Sequence, residues 1–320
     1  MISVIIATRD RASLLIETLE AIARQDPPGT PFEVVVVDNG SVDNTRDAVA
    51  DVARRLSITI NYVYEPRPGK SHALNTAVAA AHGDLLVFTD DDVLPAPGWL
   101  AAFVRAMRAT GADFATGRIL PRWEADPPAW ISPQLYGPLS VADGGPERLP
   151  LSKGVNSQVM PMGGNLALKR GVVESIGGWN PDLGSLQGTL RTGEDHEFAL
   201  RMLEAGFAGV YEPEAAVSHR VPAERLRPGY FLRWLATNGG IHAALEAQFP
   251  STPHYLLKVP RYRWRLFAND LVDAAAGLFS LDRRRVIAAY MRMAWFTAYV
   301  RGRWDLRGRR TLGPAAAQPR

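Results

Sequence analysis

The stretch Leu85-Leu86-Val87-Phe88-Thr89-Asp90-Asp91-Asp92 decides the fold class, because it is an apolar run that ends in three carboxylates. The run is short, has no polar face and follows Gly83-Asp84, so it predicts a central strand of a parallel sheet rather than a helix. Ligands of open α/β sheets collect beyond the carboxyl ends of such strands. Three adjacent acids repel one another unless solvent or a cation offsets their charge. We therefore expect a binding site at this strand end.

The acid triplet is a candidate site for a divalent cation. Oxygen ligands at this density suit Mg²⁺ or Mn²⁺, which also bind substrate phosphates. The alternative is a helix start, with Asp92 as the cap of a helix near Gly98–Arg108 that follows Pro95 and Pro97. One aspartate would be enough for that role, so the triplet favours the metal site.

Strand and helix patterns alternate through the first part of the chain, as the spacing of apolar residues changes from one element to the next. The predicted strands are Ser3–Thr8, Phe32–Val37, Ile58–Tyr64, Leu85–Asp90 and Asp113–Gly117. The predicted helices are Ser13–Arg24, Asp43–Leu56, Ser71–Ala81 and Gly98–Arg108. Such alternation gives βαβ units, so the sequence predicts an α/β fold with a mostly parallel, doubly wound sheet.

A long proline-rich excursion, Ile119–Met162, interrupts the alternation. A loop of this length inside a globular domain is often functional. Order returns with a strand after Gly163-Gly164, and the glycine-rich segment Gly184–Gly193 is interpreted as a mobile lid before a helix that begins near Glu194. The strands expected to complete the sheet are Phe207–Tyr211 and Ala215–His219.

The composition excludes several classes of protein. The chain has no cysteine, which excludes disulfides, thiolate metal sites and a cysteine nucleophile, and which fits a reducing compartment. No apolar run reaches the ~18 residues typical of a membrane-spanning helix. The first residues, Met1–Ile6, lack the basic start of a signal peptide, and no nucleic-acid-binding motif is present. We therefore expect a cytoplasmic protein with no nucleic-acid partner.

Charge is distributed unevenly about the net value of +3. Residues 1–220 hold 19 Lys/Arg against 27 Asp/Glu, whereas residues 221–320 hold 17 against 6. Helices are predicted in this basic part at Arg227–Asn238, Leu266–Leu281 and Val286–Val300, with two alternative roles: a cap packed on the rest of the chain, or peripheral contact with an anionic membrane. The aromatic residues expected to enter such a membrane are Trp264, Phe267, Phe279, Trp295, Phe296, Tyr299 and Trp304.

Six motifs occur in order along residues 1–220: Ile5–Arg11, Val36–Ser41 with Asp43, Gly69-Lys70 through Asn75, Asp90–Asp92, Gly163–Asn165 and Gly193–Asp195. Together they resemble family 2 of the inverting, GT-A-fold glycosyltransferases, which use nucleotide-diphosphate sugars. The Q-x-x-R-W motif that marks processive members is absent, so the resemblance implies transfer of a single sugar.

The resemblance implies a donor site at the first strand ends. Asp38 would accept a hydrogen bond from a uracil-type imide N–H, so the expected donor is a UDP-sugar. The alternatives are that Asp38–Ser41 is only a turn and that Lys70 is a solvated surface residue. The residues implied in donor binding are Thr8, Arg9, Asp10, Asp38, Asn39, Lys70, Asn75, Asp90, Asp91, Gly164 and Asn165.

The resemblance also implies a metal ion and a catalytic base. Asp90 and Asp92 fit its D-x-D pattern, with Asp92 as a ligand of Mn²⁺ or Mg²⁺, Asp90 at the metal site through the ribose or a metal-bound water, and His219 as a further ligand. Asp195 matches the base that takes the proton of the acceptor hydroxyl, and Glu194 is its close competitor. The alternatives are that His219 is structural and that Asp195 only complements a helix dipole.

These expectations describe a metal-dependent inverting glycosyltransferase that acts on a hydroxyl acceptor in glycan, lipid-linked saccharide or glycolipid assembly. A nucleotidyltransferase and a non-catalytic sugar-nucleotide-binding module are the alternatives. The expected organisation is a GT-A catalytic domain over residues 1–220, with its donor part before residue 119 and its acceptor part after, followed by a basic helical region over 221–305 and a disordered tail over 306–320.

Overall fold

Apolar runs of six or seven residues form the strands at the centre of the computed structural model, which describes residues 1–56, 58–156, 159–184 and 189–305. The strands are β1 (Ile2–Thr8), β2 (Phe32–Asp38), β3 (Thr59–Tyr64), β4 (Leu85–Asp90), β5 (Val93–Pro95), β6 (Phe114–Trp123), β7 (Leu149–Leu151), β8 (Asn165–Lys169), β9 (Gly209–Val221), β10 (Tyr255–Leu256) and β11 (Val259–Pro260). The helices are α1 (Ala12–Ala23), α2 (Thr45–Arg55), α3 (Lys70–Ala80), α4 (Trp99–Thr110), α5 (Arg170–Ile176), α6 (Glu194–Glu204), α7 (Pro228–Gln248), α8 (Arg261–Phe279) and α9 (Arg283–Asp305).

The main sheet has a parallel half and a mixed half. Its order is β3-β2-β1-β4-β8-β6-β9-β5, with β7 paired to β9. The first four strands are parallel, whereas β8 is antiparallel to both β4 and β6. Because β1, β2 and β4 are parallel neighbours, their carboxyl ends at Thr8, Asp38 and Asp90 meet at one edge. The two strands predicted at 207–219 form the single strand β9.

Helices cover both faces of the sheet, which confirms the doubly wound prediction. Alternate residues of β1 enter two different cores, because successive side chains of a strand point to opposite faces. Val4 and Ile6 pack with α1, α2 and α4, whereas Ile5 packs with α3, α5 and α6. Full burial of such a side chain contributes about 1.5–3 kcal/mol. The two cores together therefore fix the positions of the strand ends.

The described part of the proline-rich excursion is built into the fold. It contains β7 and two 3-10 turns, Pro133–Leu135 and Gly137–Leu139. Its Trp130 packs edge-to-face on Phe231 of α7, with ring centroids 4.8 Å apart, inside a third core that also includes Met291 of α9. The excursion therefore forms the surface on which the C-terminal helices pack.

The three C-terminal helices are longer than predicted, and two of them pack unusually closely. A Cβ atom added to Gly239 of α7 would lie 2.7 Å from Ala298 Cβ of α9, and one added to Gly302 would lie 2.8 Å from Ala243 Cβ. Within the described residues, no helix is both long and apolar enough to cross a membrane. Residues 185–188 of the predicted lid and the predicted tail after residue 305 lie outside the described residues.

Candidate active site

A cleft of about 650 Å³ opens where β1 and β4 end. This is the edge at which an open α/β sheet binds its ligands. It gathers most of the residues that the sequence singled out, although they come from distant parts of the chain. Those that line the cleft are Thr8, Arg9, Asp10, Asn39, Lys70, Asp90, Asp91, Asp92, Gly164, Glu194, Asp195 and His219.

The middle aspartate of the triplet is turned into the protein. Asp91 is buried and accepts hydrogen bonds from Thr8 Oγ1 at 2.7 Å and from Arg11 Nη1 at 3.0 Å. Burial raises the pKa of Asp91 to about 6, although the charge of Arg11 opposes this shift. Asp91 and Thr8 thus join the ends of β4 and β1 and hold the wall of the cleft.

Lys70 joins the two sides of the cleft. Its Nζ donates to Asp90 Oδ1 at 2.7 Å and lies 4.0 Å from Asp195 Oδ2. Burial alone would lower the pKa of Lys70, but Asp90, Asp195 and Glu194 raise it well above its ordinary value. Burial likewise disfavours the Asp90 carboxylate, but Lys70 holds the pKa of Asp90 below its usual range. Lys70 is therefore a charged residue of the site rather than a solvated surface residue.

Asp92 and His219 face each other across the strand pair β5–β9. His219 Nε2 lies 3.6 Å from Asp92 Oδ1, and Arg11 Nη1 donates to the other oxygen, Asp92 Oδ2, at 3.1 Å. Burial lowers the pKa of His219, although Asp92 opposes this, and a neutral imidazole is the form that binds a metal. His219 Nδ1 is buried without a hydrogen-bond partner among the described residues.

This donor set fits a divalent cation that takes few ligands from the protein. No group of three or more metal-binding side chains occurs in the part of the chain that the structure describes. One carboxylate and one imidazole nevertheless suit Mn²⁺, and such ions commonly complete their coordination with water and substrate phosphates. Asp92 and His219 are the residues that would hold the ion.

Glu194 and Asp195 begin α6 on the opposite wall. Trp179 Nε1 donates to Asp195 Oδ1 at 3.3 Å, and the Trp179 ring stacks on Phe198 of the same helix with centroids 4.1 Å apart. Asp195 is thereby held in the cleft with one oxygen toward Lys70. Glu194 is buried, and its Oε2 has no hydrogen-bond partner within the described residues. Burial, reinforced by Asp195, raises the pKa of Glu194 to about 7.

The glycine pair before β8, Gly163 and Gly164, makes room for the carboxylates of Asp195 and Asp90. A Cβ atom on Gly163 would lie 2.5 Å from Asp195 Oδ1, and one on Gly164 would lie 2.9 Å from Asp90 Oδ2. Real Cβ atoms essentially never approach so closely. The motif 163–164 therefore lets the backbone pass directly behind the two carboxylates that Lys70 connects.

Asn39 lines the cleft and also shapes the loop that carries Lys70. Its Nδ2 donates to the carbonyl oxygens of Glu65 and Arg67 at 3.1 and 2.7 Å, and its Oδ1 accepts from Gly69 N at 2.8 Å. The amide is thus occupied by backbone contacts. Its position at the end of β2 delivers Lys70 into the site.

Three predicted donor residues do not line the cleft, because their polar atoms satisfy buried groups elsewhere. Asp38 accepts from Ser41 N and the Tyr62 hydroxyl, both at 2.7 Å. Asn75 pairs with the backbone of Trp179 through two bonds of 2.8 Å. Asn165 accepts from Trp99 Nε1 and donates to the Arg118 and Ala215 carbonyls.

The structure adds residues that sequence patterns did not select. Arg11 belongs to the first motif, and its guanidinium contacts two aspartates of the triplet, Asp91 and Asp92. From the C-terminal region, Arg225 and the aromatic residues Tyr230, Trp234 and His242 line the cleft. An amphipathic helix pattern does not reveal where a helix packs, so the only available signal was the aromatic content of 230–234.

Asn238 of α7 holds the segment that leads into α6. Asn238 Oδ1 accepts from Thr192 N at 3.0 Å and Thr192 Oγ1 at 2.7 Å. Its Nδ2 donates to the Leu190 carbonyl at 2.8 Å and the Trp234 carbonyl at 2.9 Å. The fully buried Asn238 thus connects the C-terminal helices to the residues immediately before Glu194.

The fold is the GT-A fold of solved glycosyltransferases. The mannosyltransferase PcManGT from Pyrobaculum calidifontis, solved with GDP-Man and Mn²⁺, superposes with a TM-score of 0.64 over 95% of this chain and 87% of that chain, at 22% identity. TarS residues 1–349 from S. aureus, solved with UDP-GlcNAc, give a TM-score of 0.52 over 96% and 91%, at 18% identity. At these identities the likeness is one of fold.

The chain belongs to glycosyltransferase family 2, because the model of Glycosyl transferase family 2 matches residues 3–176. Glycosyltransferase AglE of Haloferax volcanii is 24% identical over 80% of this chain and 83% of its own length. The succinoglycan biosynthesis protein ExoM of Rhizobium meliloti is 27% identical over 73% of this chain and 72% of its own. The resemblance inferred from the six motifs is thus confirmed, and the protein is a nucleotide-sugar-dependent enzyme of this family.

Proposed function

We propose that the protein is a metal-dependent inverting transferase that moves a single sugar from a nucleotide-diphosphate sugar, in the first instance a UDP-sugar, to a hydroxyl acceptor. One observation carries the proposal. Lys70 connects Asp90, beside the candidate metal ligand Asp92, to Asp195 on the opposite wall, at 2.7 and 4.0 Å. The cleft thus offers groups for a leaving diphosphate on one side and a carboxylate on the other.

In this proposal the two walls have different roles. Single displacement requires a base on the face of the sugar opposite the leaving group, and Asp195 is that base, with Glu194 as its competitor. Asp92 and His219 hold the metal ion, which when bound neutralises charge on the departing diphosphate. Lys70 adds a fixed positive charge to the donor wall, and Asp90 orients it.

The donor wall extends from the end of β1 to the loop before α3. Thr8, Arg9 and Asp10 line it, and Arg9 supplies a cation. The solved relatives were obtained with UDP-GlcNAc in one case and GDP-Man in another. The choice of a UDP donor rests on the position of Asp38 in the family motif. Both Asp38 oxygens accept hydrogen bonds from Ser41 and Tyr62, so guanine nucleotides belong in the same test.

The acceptor wall comes from the excursion and α7. Tyr230 and Trp234 offer aromatic faces to the cleft, a surface on which the apolar face of a sugar ring can pack. The Tyr230 hydroxyl donates to the Pro138 carbonyl at 2.9 Å, which fixes the ring. We propose a saccharide acceptor in glycan, lipid-linked saccharide or glycolipid assembly, in line with the succinoglycan relative. The absence of cysteine fits the proposed cytoplasmic location.

The test is to incubate the protein with UDP-Glc, UDP-GlcNAc and GDP-Man and to measure the released product. Release of UDP or GDP that requires Mn²⁺ or Mg²⁺ and stops with chelator supports the proposal. Release of pyrophosphate would instead identify a nucleotidyltransferase, and binding without turnover a non-catalytic module. NMR of the product must show inverted configuration at the anomeric carbon, since retention contradicts single displacement. Asp92→Ala should remove the metal response, whereas Asp51→Ala, the same change at an exposed carboxylate of α2, should not.

A further inference from the structure

Helix α8 exposes a continuous apolar stripe that no described residue covers. Its members recur at intervals of three or four residues, which places them on one face of the helix. Val272 and Leu278 are 66% and 65% exposed, and Phe279 is 92% exposed. Large exposed apolar patches on a folded protein mark interaction sites. The α8 stripe consists of Ala268, Leu271, Val272, Ala275, Leu278 and Phe279.

The α8 stripe differs from the aromatic residues that the sequence predicted for membrane contact. That prediction was largely wrong, because most of these aromatic residues are not exposed. Phe296 and Tyr299 are buried, and Trp264, Phe267 and Trp295 pack against them in the interior of the helical region. Arg263 is also internal, since its guanidinium lies over the Trp295 and Tyr299 rings. Of the seven aromatic residues predicted for membrane contact, only Phe279 and Trp304 are exposed.

Positive charge flanks both ends of the α8 stripe. Arg261 and Arg265 precede it, and Arg283 and Arg284 follow the turn after it; all four are exposed. Within the described chain none of these four side chains has an ion-pair partner. In contrast, the acids of α8 are paired, since Asp270 and Asp273 form ion pairs with arginines of α9. The stripe is thus an apolar surface flanked by four arginines without ion-pair partners in the described chain. The acid in the turn after it, Asp282, accepts hydrogen bonds from Arg284 N and Arg285 N at the start of α9.

We infer that the α8 stripe docks on an anionic lipid bilayer, with the helix lying in the plane of the interface. An apolar helical face flanked by arginines matches such a surface, because the side chains enter the acyl boundary while the guanidinium groups reach the anionic headgroups. The occupant is a bilayer rather than a second copy. Self-pairing of the stripe, parallel or antiparallel, would bring arginines of one chain against arginines of the other.

The experiment is co-sedimentation of the full chain with phosphatidylcholine vesicles, with and without phosphatidylglycerol. Binding should occur only to the anionic vesicles and should weaken as salt is raised. The double change Leu278→Ser with Phe279→Ser should lower the partition coefficient at least about tenfold, because it removes apolar groups from the interface. The matched control, Val42→Ser with Val155→Ser, changes two exposed apolar residues away from α8 and should bind like the parent.

A second variant separates charge from packing. Arg284→Glu should weaken anionic binding, whereas Arg108→Glu, the same change at an exposed position of α4, should not. All variants must keep the parental melting transition. This is expected, because every substituted side chain is exposed. Parental binding by both test variants overturns the inference. So does a dimer in sedimentation analysis that dissociates in the serine variant, since that result assigns the stripe to a second copy. Vesicle binding does not depend on sugar transfer, so the docking site and the proposed activity are tested separately.

Discussion

The carboxylate of Asp195 is positioned by three neighbours of different kinds. Trp179 donates a hydrogen bond to it, Lys70 faces it at 4.0 Å, and Gly163 leaves the space behind it. Such positioning is what a general base needs, because proton transfer depends first on geometry. Glu194, its neighbour, differs in being buried, with an oxygen that lacks a partner in the described structure.

Asp195→Asn should lower the rate of sugar transfer about 100-fold or more, the usual contribution of a positioned base, while donor affinity stays nearly unchanged. Single-turnover formation of UDP gives the rate, and calorimetry gives the affinity. The matched control is Glu204→Gln, at the exposed end of the same helix, which should leave both values unchanged. If Glu194→Gln reduces the rate and Asp195→Asn does not, the base assignment is reversed.

The raised pKa of Glu194 predicts a pH-dependent stability. Its folded pKa is about 7, above an unfolded value of about 4.3, so between these values the folded state binds more protons than the unfolded state. Stability must then fall as pH rises through this interval. Glu194→Gln removes the cost, and the variant should gain up to about 3–4 kcal/mol over the parent above pH ~7 but little near pH ~4. Urea unfolding across this range measures the difference, and a gap that does not widen with pH would contradict the prediction.

At the scale of elements, α6 depends on α7. Asn238 bonds to Thr192 and Leu190, and Gly193 adopts a left-handed φ of 115°. A Cβ atom added to Gly193 would also lie only 2.6 Å from Ile241 Cγ2 of α7. The acids at the start of α6 are therefore set by a helix that follows them by more than thirty residues.

Asn238→Ala should lower kcat more than it changes KM for the donor, because it releases the segment before Glu194 while the donor wall stays intact. The substitution also leaves backbone groups of residues 190–192 without their hydrogen-bond partner, which should lower the free energy of unfolding by about 1–3 kcal/mol. Thr237→Ala is the control, since the Thr237 hydroxyl bonds only within α7, to the Arg233 carbonyl. Steady-state kinetics measures kcat and KM of both variants, and thermal melting measures their stability. A lower melting temperature with unchanged kcat would make Asn238 purely structural.

At the scale of the whole molecule, one hydrophobic core contains residues from both sides of the division predicted at residue 220. Trp130, Leu135 and Leu139 of the excursion share a core with Phe231, Leu235 and Met291. Removing the C-terminal helices would expose that surface.

A chain of residues 1–220 should therefore lack a cooperative melting transition, whereas the full chain should have one. Scanning calorimetry measures this, and co-expression of residues 221–320 as a separate chain should restore the transition. Cooperative melting and donor binding by residues 1–220 alone would show that the boundary is real.

Sequence reasoning located the edge of the sheet at which the cleft opens, because that edge follows from local patterns. The apolar run followed by Asp90–Asp92 predicts both a strand and the point at which it ends. Parallel pairing then brings Thr8 to the same edge of the sheet. It did not foresee that Asn75 and Asn165 serve buried backbone groups, since hydrogen-bond partners across the fold leave no local pattern. For the same reason the aromatic residues 264–304 could not be sorted into buried and exposed, because both sides of α8 and α9 are rich in apolar residues.

The bond network around Asn238 has a consequence for engineering acceptor preference. Helix α7 supplies Trp234 to the proposed acceptor wall and also holds the segment before Asp195. If these assignments are correct, a chimera that exchanges only α7 between family members should change the acceptor surface and displace the proposed base at the same time. The smallest transplantable unit is α7 together with residues 190–193 and the face of α9 that contacts Gly239.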